Sequence, residues 1–125
     1  MAPGADPVLS VRAVFEVGGP LAKVLPGYAP REPQICMAEE IDRAIGAGQH
    51  LFVEAPTGVG KSYAALVPAI RHALIAKKKI LVVTATIGLQ EQLTEKDLPA
   101  LRAALPWPFT FRLVKGRGNY ACHYQ

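Results

Sequence analysis

The stretch "VEAPTGVGKS", residues 53–62, puts glycines, a lysine and a serine in an order that suits the handling of a triphosphate. Phosphate oxygens require donors arrayed around them, and Gly58 and Gly60 can take positive φ, so that this run can turn its backbone N–H groups inward. The pattern is the phosphate loop in its relaxed form: Ala55 where a first glycine often stands, then Pro56, Thr57, Gly58 and Val59, then Gly60, Lys61 and Ser62. Lys61 would reach the β and γ phosphates, and the Ser62 hydroxyl would ligate Mg²⁺. Residues Ala55 to Ser62 are therefore the candidate site for a nucleoside triphosphate and Mg²⁺, with Lys61 and Ser62 as the candidate catalytic pair. The plainer reading is a glycine-rich turn with a solvated lysine, and the flanking elements decide between the two.

Those elements must place a strand before the loop and a helix after it. "HLFVEA" (50–55) is a short apolar run bounded by glycine and proline, which predicts a buried parallel strand entering the loop. After Gly60, the residues Tyr63, Leu66, Val67, Ile70 and Leu74 form an apolar stripe at helical spacing, with Pro68 expected to kink it. "KILVVTA" (79–85) predicts a second buried strand and "FTFRLV" (109–114) a third, with "IGLQEQL" and "LPALRAAL" as helical pieces between them. That order predicts an α/β fold with a parallel sheet flanked by helices. Upstream, Ser10 can cap a short helix, Gly18-Gly19-Pro20 breaks it, and a helix from near Pro33 carries Met37, Ala38, Ile41, Ala44 and Ile45 before Gly46 and Gly48 stop it. Lys77, Lys78 and Lys79 follow the loop's helix, where cations complement the helix dipole.

Composition fits one packed domain. Of 125 residues, 50% are hydrophobic and 19% charged, enough apolar content to bury a core, so disorder is not expected. The N-terminus lacks a basic region and a long apolar run, and no stretch approaches a membrane span, which predicts a cytoplasmic protein without membrane contact. Cys36 and Cys122 are far apart and are read as thiols. A net charge of +4 is compatible with nucleic acid and with much else.

Three further stretches, in this order around the loop, narrow the class. "GYAPREPQICM" before it, "TATIGLQEQL" after it and "KGRGNYAC" near the end together resemble the DinG and XPD-like branch of superfamily 2 iron–sulfur DNA helicases. The resemblance implies a partial RecA-like phosphate-loop NTPase domain, with residues 1–27 as a helical lead-in and 28–125 as the first part of motor domain 1. It implies that Gln34 reads adenine, with Tyr28 and Arg31 as companions at the nucleotide; a side-chain amide can donate to and accept from that base edge at once. Gln34 as an ordinary first-turn helix residue stays open. The second stretch is similar to the family's motif Ia, which implies that Thr84, Thr86 and Gln90 touch the backbone of single-stranded DNA. Capping by Thr86 is compatible with that. Arg112, Lys115 and Arg117, interleaved with Trp107, Tyr120 and Tyr124, would suit a charged and aromatic single-strand track. Cys122 matches the first of four thiolates that hold a four-iron four-sulfur cluster in such helicases, while Cys36 does not belong to that set.

The resemblance covers only the opening of the family's sequence. No acidic motif of the "DEAH" kind stands in these residues to hold Mg²⁺ opposite Ser62, and the second motor domain is implied as a missing C-terminal portion. The expected function is the ATP-binding part of a 5′ to 3′ DNA helicase, inactive by itself. A non-catalytic nucleotide-binding module is the alternative, and a small kinase-like enzyme is disfavoured by the Gln34 and "KGRGNYAC" stretches.

Overall fold

In a computed structural model, residues 9–119 are described. Ser10 starts the first helix as expected: its hydroxyl accepts from the Ala13 N–H at 3.2 Å, and α1 runs Val11–Phe15. A helix this short does not stand on propensity alone. It is held because Val11, Val14 and Phe15 are buried in the core. Proline begins α2, Pro20–Val24, where its missing N–H costs nothing, and Leu21 is completely buried.

α3, Glu32–Ala47, carries Pro33 in its first turn and ends at Gly48. Gly48 takes φ +67°, and the next N–H, that of Gln49, returns to the Ala44 carbonyl at 2.9 Å, closing carbonyls the helix would otherwise leave open. α4, Lys61–Ala76, contains Pro68 without interruption, and Pro68 lies fully buried. α3 and α4 form the most extensive pairing among the described residues. α5, Ile87–Gln92, starts at Thr86, a π turn over Leu93–Asp97 follows, and α6, Leu98–Ala104, completes a nearly continuous helical run.

The core gathers Val14, Phe15 and Leu21 from the lead-in, Ile35 and Ala38 from α3, Leu66, Val67 and Ile70 from α4, and Leu93, Leu101, Leu105 and Trp107 from the last third. The described residues before position 27 thus share one core with those after it. Polar ties reinforce the seams. Arg71 of α4 donates to Asp42 of α3 at 3.1 Å and to the Leu9 carbonyl at 3.0 Å. Arg12 of α1 pairs with Glu32 at 2.9 Å and Glu39 at 2.7 Å, and the first of these bonds holds the Glu32 carboxyl below its ordinary range.

The expected α/β fold with a parallel sheet is overturned: among the described residues there is no strand. The runs 50–55, 79–85 and 109–114 form neither helix nor ladder. A strand is defined by hydrogen bonds to a neighbouring chain segment, and an apolar run encodes only a demand for burial, not the pairing. Here that demand is unmet, since Phe52 is 102% exposed, Leu81 83% and Val83 81%. The third run is held differently, with the Arg102 guanidinium over the Phe111 ring at 4.7 Å and its Nη2 donating to the Phe109 carbonyl at 3.3 Å. Among the described residues the architecture is helical, with the glycine-containing loop leading from α3 into α4.

Candidate nucleotide site

The loop forms as its composition requires. Gly58 stands at φ +89° and Gly60 at φ +88°, a region a Cβ disfavours, so that glycine is needed at both positions. Gly60 is the N-cap of α4 and offers no side chain to the helix, leaving the first-turn N–H groups without a side-chain cap. A 16-residue helix with an uncapped, electropositive start is suited to an anion. Lys61 is exposed at the first helical position, with Ser62 half-buried beside it. These features fit a triphosphate with its Mg²⁺: glycine backbone for close approach, uncapped N–H groups, an ammonium and a hydroxyl.

α3 reaches directly into this loop. The Gln34 side chain is 4% exposed, and its Nε2 donates to the Gly60 carbonyl at 3.0 Å. The same carbonyl accepts the first helical N–H of α4, from Ala64, at 3.2 Å. Arg31, at the N-cap of α3, donates through Nη1 to the Gly58 carbonyl. The start of α3 therefore engages two carbonyls of the loop, a contact that sequence reading did not foresee because nothing in "PREPQ" names its acceptor.

Tyr28 is tied elsewhere by its hydroxyl, which donates to the Phe15 carbonyl at 2.5 Å. Burial raises its pKa above the ordinary tyrosine value, with Arg31 pulling weakly the other way. An acid whose folded pKa is raised contributes stability that is complete below about pH 10 and is lost as pH rises through the folded value. Tyr28→Phe should cost about 1 kcal/mol at neutral pH, the net worth of one hydrogen bond. It should also reduce the alkaline loss of stability, leaving the part due to Tyr63, which burial and Asp97 raise as well. Urea melts at pH 7 and pH 10.5 check both effects.

The residues expected at DNA fall into two groups. Thr86 caps α5, its hydroxyl accepting from the Leu89 N–H at 3.3 Å, while Thr84 Oγ1 donates to the Thr86 carbonyl at 3.3 Å. Gln90 Nε2 donates to the Val114 carbonyl at 3.2 Å, which joins α5 to the segment carrying Arg112, Lys115 and Arg117. Arg112 and Arg117 are exposed, and Arg117 opens a short 3-10 turn, Arg117–Asn119. Trp107 does not belong to an exposed aromatic track: it is 7% exposed and packs in the core. It shares that core with Leu101, Ala104 and Leu105, a place that alternation of basic and aromatic residues could not reveal. Tyr120, Cys122 and Tyr124 lie outside the described residues. Among the described residues no three His, Cys, Asp or Glu side chains gather as a metal site, and no helix is long and apolar enough to cross a membrane.

A glycine-rich loop that opens a long helix and is engaged by a glutamine and an arginine is suited to phosphate groups, and comparison with known proteins gives the family. The pattern of DEAD/DEAH box helicases matches residues 34–102, more than half of the chain. The chain belongs to the DEAD/DEAH box helicase family. It is 49% identical over 86% of its length to the ATP-dependent DNA helicase YoaA of Escherichia coli (strain K12), of which the match covers 16%. It is 42% identical over 78% of its length to the ATP-dependent DNA helicase DinG of Salmonella typhimurium, covering 14% of that protein. A third relative, the 3'-5' exonuclease DinG of Bacillus subtilis (strain 168), is 36% identical over 84% of the chain and is covered over 11%. The chain thus spans about a sixth or less of the length of these relatives.

Proposed function

We propose that the chain is the ATP-binding portion of an ATP-dependent DNA helicase that moves 5′ to 3′ on single-stranded DNA. The observation that carries this is the loop at α4, with two positive-φ glycines and an uncapped helix start, lying within a chain of this family. Residues Ala55 to Ser62 bind the phosphates, with Lys61 countering their charge and Ser62 holding Mg²⁺. Tyr28, Arg31 and Gln34 complete the nucleotide site from the α3 side. Bound Mg²⁺ neutralises charge on the β and γ phosphates. Turnover needs a carboxylate of the "DEAH" type, so the 125 residues bind nucleotide and hydrolyse it negligibly.

Single-stranded DNA lies along Thr84, Thr86 and Gln90 and the segment with Arg112, Lys115 and Arg117. The Gln90 bond to Val114 supports this, since it holds the two groups together. The four-iron four-sulfur cluster belongs to a longer chain, with Cys122 as its first ligand; Cys36 and Cys122 are the two cysteines present, and four thiolates are required. Fluorescence anisotropy with oligo-dT, a mixed single strand and a duplex tests the DNA reading. Single strands of both kinds should bind weakly, and log affinity should fall with log salt by roughly 0.7 per phosphate contact. Thr86→Ala with Arg112→Ala should weaken both alike, because phosphate contacts carry no base information. Preference for the duplex, or unchanged binding by the double variant, would remove the single-strand track.

A further inference from the structure

We infer that Arg102, held against Phe111, is a base-stacking contact for single-stranded DNA, separate from the phosphate contacts assigned to Thr86 and Arg112. This rests on the single-strand reading of the segment that carries Arg112 and deepens it by naming the group that meets the bases. Trp107, the aromatic residue that the sequence placed on that track, is buried and cannot serve.

Arg102 stands on α6, and its guanidinium carbon lies 4.7 Å from the centre of the Phe111 ring and 5.8 Å from that of Phe109. Its Nη2 also donates to the Phe109 carbonyl at 3.3 Å, which ties the group to the backbone of the same run. The two rings, with centres 6.4 Å apart and planes at 38°, both carry the one cation. Phe109 and Phe111 are half-buried whereas Arg102 is exposed, so the guanidinium lies on the solvent side of the rings. Among the described residues no carboxylate pairs with it.

A guanidinium is flat and weakly hydrated, able to stack on one side against an aromatic ring and on the other against a nucleobase. Holding it on Phe111 and on the Phe109 carbonyl restricts its rotamers before any ligand arrives, so less freedom is lost on binding. Every base presents a π face, which makes such a contact tolerant of sequence, and a single strand leaves those faces open to it. The location agrees. Phe111 directly precedes Arg112, and Val114 of the same segment accepts from Gln90 of α5, so the stacked pair adjoins the residues assigned to the DNA backbone. An acidic peptide would use the charge but not the plane, and a lysine, which keeps the charge without the plane, separates the two.

The test uses an oligo-dT strand and a tetrahydrofuran abasic strand of equal length, which carry the same phosphates, with the full chain as wild type, Arg102→Lys and Phe111→Leu. By fluorescence anisotropy, wild type should bind oligo-dT more tightly than the abasic strand. Arg102→Lys keeps the positive charge, so its affinity for the abasic strand should stay within about twofold of wild type. Its affinity for oligo-dT should fall roughly fivefold or more, the worth of one stacked base. Phe111→Leu, which removes the ring that holds the plane, should show the same pattern, and it decides the matter should Arg102→Lys melt below wild type by circular dichroism. Equal binding of the two strands by wild type would overturn the inference. So would an Arg102→Lys protein that keeps its full affinity for oligo-dT or loses both strands alike. The Thr86→Ala, Arg112→Ala double variant separates the two levels: if it binds both strands like wild type, the single-strand reading itself fails, whereas loss of both strands there with no base-dependent loss at Arg102 sinks the stacking contact alone.

Discussion

Gly60→Ala should raise the dissociation constant for MgATP by more than tenfold, a larger loss than any other single methyl group added to the loop would cause. Two costs combine at this position. The backbone lies at φ +88°, where a Cβ costs about 1–2 kcal/mol. The added carbon would also overlap Gln34 Nε2 and stand 3.0 Å from its Cδ, forcing a buried amide off its carbonyl, which costs a further 1–3 kcal/mol or so. Each 1.4 kcal/mol or so is a factor of ten, so part of the sum expressed in loop geometry suffices. Gly58→Ala provides the comparison, since its φ is +89° but nothing lies within 4 Å of its added carbon; it should lose less than Gly60→Ala. Calorimetric titration of the two variants, with melting curves to separate folding from binding, checks the order. Equal losses would mean that the Gln34 contact contributes nothing to the loop.

Phe15→Ala should destabilise the fold by about 3–5 kcal/mol, the usual cost of emptying a buried aromatic site. Phe15 is completely buried although it belongs to the five-residue α1. Were the lead-in an appendage, its loss would leave the melt of the remainder nearly unchanged. Since it shares one core with α3, α4 and α6, the whole transition should fall, by more than about 10 °C for a chain of this size. Val17→Ala, at a position 84% exposed, should stay within about 0.5 kcal/mol of wild type. Thermal melts by circular dichroism distinguish these outcomes.

The helices were legible because their signals are local. Ser10 and Thr86 announce N-caps by their own hydroxyls, Pro33 fits a first turn, and Gly48 marks an end that a residue tolerant of positive φ supplies, whereas Pro20, read as a breaker, in fact begins α2. The loop was legible for the same reason, since Gly58 and Gly60 carry their conformational requirement in their composition. The sheet was not, because pairing is a relation between segments, and "HLFVEA" looks the same whether or not a neighbour meets it. Trp107 misled because a large aromatic among basic residues suits a stacking surface and a core equally, and only its burial separates the two. Gln34 was expected at the adenine of a nucleotide; its partner here, a backbone carbonyl 26 positions along the chain, leaves no mark on side-chain composition.

Whether residues Ala55 to Ser62 form a triphosphate site is tested most directly by titration of a fluorescent MgATP analogue into wild type and Lys61→Ala. Lys61 is exposed and outside the core, so its replacement should leave the fold and melting temperature intact. Wild type should bind saturably and be displaced by unlabelled MgATP, and Lys61→Ala should lose at least tenfold, because the ammonium that counters the β and γ phosphates is gone. Equal affinity in the two folded proteins would contradict the account.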